Sequence, residues 1–202
     1  MVLTRLVMIL SLIFSAFPTQ AEQTGLYVSQ NLFGVSLRFN TGPSSVQDKT
    51  LISSETGLGY ILGGWAYLGG VFNYTMVNEK TTDSGSNAVT HQETYQYYGP
   101  ALGYMGESWM FIVHYYAFAE MRDNVSGYNV NPYTTNRTGS GYGVNVGYRF
   151  LFGDFELAPV ISYKAISYIN CKDPNSGATS ACSPDVVQND IIPYFSILFN
   201  FK

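Results

Sequence analysis

The chain has 202 residues, with 10 basic against 14 acidic side chains and a formal charge of −4, so it presents no basic field for nucleic acid. Seventeen Tyr, thirteen Phe and twenty Gly beside only 12% charged residues suit a barrel with aromatics at two interfaces and glycines in a cramped interior. No run after Phe17 is long and apolar enough for a spanning helix, and without one only a closed barrel can cross a bilayer, because unpaired backbone groups are too costly in lipid.

Residues 1–21 are expected to be a secretory signal. Arg5 supplies the basic start, Leu6 to Phe17 an apolar run of 12 residues, and Thr19-Gln20-Ala21 a small-residue cleavage site. A membrane anchor is the weaker reading, since a spanning helix needs about 20 apolar residues. No Cys follows the run, which disfavours a lipoprotein signal. The mature domain is then 22–202, 202 − 21 = 181 residues, with 9 basic and 14 acidic side chains and a charge of −5. That length is one domain.

The first strand is expected over 31–40, with Phe33, Val35, Leu37 and Phe39 on one face and Gly34, Ser36, Arg38 and Asn40 on the other. Leu26 and Val28 before it are out of phase. Residues 41–55 read as a long polar loop. Strand two, 57–62, alternates Leu58, Tyr60 and Leu62 with Gly57, Gly59 and Ile61, and Gly63-Gly64 signals a tight turn. Strand three, 65–76, fits two phases: a two-residue turn puts Trp65, Tyr67 and Val71 outward, yet Leu68, Phe72 and Met76 are the more lipophilic set. A second long loop covers 78–93. Strand four, 95–104, carries Pro100, which removes a ladder donor and points to a bulge.

Strand five, 109–122, places Trp109, Phe111, Val113, Tyr115, Ala117, Ala119 and Met121 in one row, with His114, Glu120 and Arg122 in the opposite one. The short turn before it pairs Tyr104 with Trp109. A third long loop covers 123–139. The clearest pattern follows: Tyr142, Val144, Val146, Tyr148, Phe150 and Phe152 alternate with Gly141, Gly143, Asn145, Gly147, Arg149 and Leu151. After Gly153-Asp154 the alternation resumes, with Phe155, Leu157, Pro159, Ile161 and Tyr163 against Glu156, Ala158, Val160, Ser162 and Lys164. A hairpin joins the two, pairing Phe152 with Phe155. A fourth loop, 170–189, precedes strand eight, 190–202, which sets Ile191, Pro193, Phe195, Ile197, Phe199 and Phe201 on one face.

The reading is all-β, eight antiparallel strands in an up-and-down barrel, with short periplasmic turns alternating with four long external loops. Trp109, Phe111, Phe150, Phe152, Phe155, Phe199 and Phe201 fall at the periplasmic end of the outer wall as an aromatic girdle.

By its pattern the mature chain resembles the small eight-stranded outer-membrane barrels of Gram-negative bacteria, the OmpA-like membrane domain and OmpX group. The words that carry the likeness are Val146-Gly147-Tyr148-Arg149-Phe150 and the terminal Phe199-Asn200-Phe201. The resemblance implies location in the cell outer membrane, contact with its lipid including lipopolysaccharide, and recognition of the C-terminal strand by the barrel-assembly machinery. Lys202 departs from the family, whose members commonly end on the aromatic itself.

Six charges are expected in the lumen: Arg38, Glu120, Arg122, Arg149, Glu156 and Lys164. A lumen of eight strands is just wide enough for side chains to fill, and charges inside it must pair. Arg149 lies diagonal to Glu156 across the hairpin. These charges make either a polar plug or a narrow ion path. Cys171 and Cys182, the only cysteines, are expected to form a disulfide in the fourth loop, since two Cys with no His nearby are too few for a metal.

His91 and His114 are the only histidines, and neither has a Ser at the spacing of a nucleophile and base. A lipocalin-type soluble barrel is the architectural rival, through Gly63-Gly64-Trp65, but the Arg, Glu and Lys row cannot line a lipid-binding calyx. The expectation is therefore a barrel without enzyme activity or cofactor, serving structure, envelope integrity or a surface ligand through its external loops. A narrow pore is the alternative, and a lipid-modifying enzyme acting through His114 the next.

Overall fold

The computed structural model describes residues 25–42, 45–83, 87–152, 155–172 and 177–201. The signal segment 1–21, the Gly153-Asp154 turn and Lys202 lie outside the described residues. What is described is strand and turn: β1 Gly25–Gly42, β2 Ser45–Leu62, β3 Ala66–Thr82, β4 Ala88–Met105 and β5 Trp109–Gly127. β6 runs Val130–Tyr148 and resumes past Arg149 as Phe150–Phe152; β7 is Phe155–Lys172 and β8 Thr179–Phe201. Each strand pairs antiparallel with the next, β6 pairs β7, and β8 returns to β1. The ring closes, so every strand has two neighbours over at least part of its length, and the sheet has no free edge strand where the ladders run.

The strands are longer than the sequence pattern marks. Residues 45–55, 78–82, 88–93, 123–127, 130–139, 170–172 and 179–189 are strand, although their polar composition reads as loop. Hydroxyl and amide side chains alternate there and bond across the ladders, as in Ser36 to Thr50 at 3.1 Å, Thr134 to Asn124 at 2.8 Å and Gln47 to Glu79 at 2.5 Å. A strand of 18 residues is about 60 Å long at ~3.3 Å per residue. An apolar band needs only about 25 Å of height, even with strands tilted ~40°. The paired strands of the four long connections thus rise beyond the band as hairpins.

Local geometry resolves the phases that the sequence leaves open. Gly63 and Gly64 adopt φ of 57° and 76° in a three-residue turn, and Leu62 pairs with Ala66. That extra residue turns Tyr67 and Val71 inward and Leu68 and Phe72 outward. The Met105–Met110 pairing puts Tyr104 opposite Phe111 rather than Trp109, a shift of two residues that keeps the same face. Opposite Pro100 the β4–β5 register slips between Tyr98 and Ala101, and β5 bulges between Tyr116 and Ala119. A bulge reverses the alternation. Ala119 and Met121 are therefore buried inside, although Phe111 and Tyr115 of the same sequence row face out.

β1 continues unbroken from Leu26, so Tyr27, Ser29 and Asn31 point inward and Phe33, Val35, Leu37 and Phe39 follow them in the same row. This is opposite to the phase that a lumenal Arg38 requires; it is set by Tyr27, which is fully buried. The seam between β1 and β8 runs only from Leu26–Phe201 to Leu32–Phe195. Above it, among the described residues, β1 pairs on its β2 side alone.

Candidate functional site

The interior is organised around Glu55 on β2 and Lys164 on β7, whose relative exposures are 1% and 0%. Lys164 Nζ stands 3.3 Å from Glu55 Oε2 and donates to Tyr194 Oη at 2.6 Å. Glu55 Oε1 accepts from Asn145 at 2.6 Å and Asn31 at 2.9 Å, and Oε2 accepts from Tyr116 at 3.4 Å. Tyr194 reaches Ser53 at 2.7 Å and accepts from Asn73 at 3.1 Å, while Ser53 bonds Thr75 at 2.6 Å. Residues from β1, β2, β3, β5, β6, β7 and β8 are tied into one knot. Two charges inside a wall of hydrocarbon are tolerable only with this degree of compensation.

Two further layers flank the knot. Towards the short turns, Arg149 forms a bidentate pair with Glu156, Nε to Oε2 at 2.7 Å and Nη2 to Oε1 at 2.6 Å, and Arg149 Nη1 donates to the Gly106 carbonyl. The fork geometry is the strong form of a carboxylate contact. Tyr27 and Tyr67 pack edge-on beside it with ring centroids 5.7 Å apart. Towards the hairpins, Tyr97 and Tyr168 meet at 3.1 Å, Tyr168 donates to Gln188 at 3.0 Å, and Gln188 donates to Asp190 at 2.6 Å. Gly143 leaves the space that Tyr116 fills: a Cβ there would lie 2.9 Å from the phenol oxygen.

Of the six charges expected in the lumen, Arg149, Glu156 and Lys164 are inside and three are not. Arg38 lies on the outer face of β1, paired with Asp48 at 3.3 Å, because the strand's phase is set from Tyr27. Glu120 and Arg122 are outside because the β5 bulge reverses the row; they pair with each other at 2.7 Å, and Glu120 also accepts from Asn136 at 2.9 Å. Glu55, the acid at the centre, was missed, since 41–55 reads as loop. The signal was present as Ser53-x-Glu55-x-Gly57-x-Gly59-x-Ile61 opposite Ile52, Leu58, Tyr60 and Leu62, with Ser54 and Thr56 masking the apolar row.

Trp109, Phe111, Phe150, Phe152, Phe155, Phe199 and Phe201 stand exposed on the outer wall at the short-turn end. There Trp109 meets Tyr148 edge-on at 5.1 Å and Phe152 stacks with Phe155 at 5.8 Å. Cys171 and Cys182 form a disulfide with Cα atoms 5.0 Å apart, tying β7 to β8 within the strands rather than in a loop. His114 is buried with its ring stacked on Tyr116 at 5.8 Å, and no hydroxyl is hydrogen-bonded to it among the described residues. His91 lies in the β4–β5 hairpin, 4.0 Å from Asp123.

An apolar wall, an aromatic belt and a polar, side-chain-filled interior define an eight-stranded antiparallel transmembrane barrel. No family model matches the chain, and no curated protein does. Among solved structures it is similar to the Neisserial surface protein A, NspA, at 13% identity and a TM-score of 0.42, covering 90% of this chain and 99% of that one. It is similar also to the outer membrane protease OmpT from Escherichia coli, at 9% identity and 0.41, covering 88% and 93%. A third is the outer membrane protein AlkL, at 11% and 0.35, covering 92% of each.

Proposed function

We infer that the protein is an integral outer-membrane barrel whose lumen is a structural plug and whose activity resides in its projecting hairpins, in surface interaction or envelope integrity. The observation that carries this reading is the Glu55–Lys164 knot. It draws side chains from seven of the eight strands across the middle of the lumen, with paired layers on either side. Charges so tightly paired close a path rather than line one. On the hairpin side, the β5–β6 tip holds Tyr128 and Tyr133 exposed, with Asn129 in the left-handed region at φ 57°. Rigid exposed tyrosines on a backbone rich in Asn, Ser, Gly and Thr are the chemistry of an adaptable binding surface.

Planar-bilayer conductance of the refolded chain tests the plug. The wild type is expected to be silent. Reproducible steps that Glu55→Ala or Lys164→Ala alters would overturn this reading in favour of a narrow pore.

A further inference from the structure

The outer wall is indented on its hairpin side, where β5, β6, β7 and β8 run together. A cavity of about 360 Å³ opens there, floored by Ser140, Ala165 and Ser167 and walled by Tyr115, Tyr142 and Asn189. Ala165 occupies an outward position between Tyr163 and Ser167, yet only 8% of it is exposed, because its larger neighbours overhang it. Two irregularities make the hollow: the β5 bulge between Tyr116 and Ala119, and the β7 slip between Tyr168 and Asn170. Each bends its strand away from the regular wall. Four strands wide, the hollow spans three interstrand spacings, about 14 Å.

Its depth in the membrane is readable from the wall. On β4 to β7, stacked Tyr98 and Phe118, with Tyr142 and Tyr163, are the last outward aromatics, and beyond them the outward positions of β4 to β6 turn polar. Above that line Arg122, Asn136 and Lys172 stand in direct cross-strand register on the outer face, both cations exposed. Asn136 is four residues beyond Ser140 on β6, about 13 Å along the strand. Arg122 Nε is already bonded to Glu120, and its guanidinium carries further donors. An apolar furrow thus lies at the edge of the hydrocarbon, with a basic row above it in the headgroup zone.

We propose that this furrow is a specific site for the phosphorylated, multiply acylated glycolipid of the outer leaflet. One acyl chain lies over Ala165, its linkage meets Ser140, Ser167 and Asn189, and its phosphates meet Arg122 and Lys172. The charge row favours this lipid over a zwitterionic phospholipid, which brings one phosphate that its own amine already balances. The proposal rests on the outer-membrane reading.

The test is lipid retention in native mass spectrometry, on protein refolded with purified lipopolysaccharide or with phosphatidylethanolamine, after insertion into vesicles is verified by a heat-dependent gel shift. The wild type is expected to keep one lipopolysaccharide. Filling the floor with Ala165→Phe, or with Ser167→Leu should the first variant fail to fold, should cut retention of both lipids about tenfold, the equivalent of ~1.4 kcal/mol. Arg122→Ala/Lys172→Ala should cut lipopolysaccharide alone. Equal retention by the wild type and the filled variants, or no lipid preference in the wild type, would overturn the site while leaving the barrel intact. A chain that never inserts would overturn the membrane reading with it.

Discussion

At the scale of single residues, Glu55 and Lys164 bind one another's fate. Removing either charge strands the other behind a wall that offers no water, whereas removing both leaves a volume that apolar atoms can fill. Lys164→Met is therefore expected to destabilise by about 3–5 kcal/mol, and Glu55→Leu combined with Lys164→Met to recover most of that. Urea midpoints of vesicle-embedded protein measure both, and additive losses in the double variant would refute the coupling. Gly143 presents a second case. An added Cβ would meet the Tyr116 phenol at 2.9 Å and the Tyr163 carbonyl at 3.1 Å. The phenol is one of the bonds to Glu55, so Gly143→Ala should cost about 1–3 kcal/mol by overpacking, detectable in the same titration.

At the scale of elements, legibility followed the alternation and failed at its interruptions. The β6–β7 hairpin was readable because Phe150, Phe152 and Phe155 leave no ambiguity of face, and the Arg149–Glu156 pair came with it. Arg38, Glu120 and Arg122 were misplaced for two reasons. The row of Glu120 and Arg122 crosses a bulge that has no signature beyond a suggestive Pro100, whereas Arg38 sits on an unbroken strand whose phase is set by Tyr27 against the apolar look of Phe33 to Phe39. Polar stretches such as Thr41 to Glu55 conceal strands because pairing is set by neighbours as much as by side-chain pattern. The β7–β8 hairpin adds a covalent constraint across a sequence separation of 11. Replacing both cysteines by Ser is expected to cost about 3 kcal/mol by the chain-entropy argument. The β5–β6 hairpin makes the opposite prediction. Tyr128→Cys should leave stability within about 0.5 kcal/mol and accept a membrane-impermeant thiol reagent on intact cells; a tip protected until the envelope is broken would reverse the assigned orientation.

At the scale of the molecule, the wall is uneven, and this sets where it opens first. Most neighbouring strands pair over nearly their full length, as β2 does with β3 from Leu62–Ala66 up to Val46–Thr82. The β1–β8 seam holds only from Leu26–Phe201 to Leu32–Phe195. In an antiparallel ladder alternate amides point to opposite neighbours. Along Leu26 to Leu32, then, every amide has a ladder to join, while from Phe33 upward half of them face the unpaired side. Local opening draws on such weakly paired segments, because their backbone bonds are reached by water without unfolding the rest. Hydrogen exchange of the vesicle-embedded protein should show continuous slow exchange over 26–32 and an alternating slow and fast pattern over 33–39. Uniform protection along β1 would mean that the ring closes to its rim; uniform loss over 33–39 would mean that the β1–β2 hairpin is held by neither neighbour. The alternating pattern leaves the plugged lower barrel as the rigid body and the upper half of β1 as its most yielding edge.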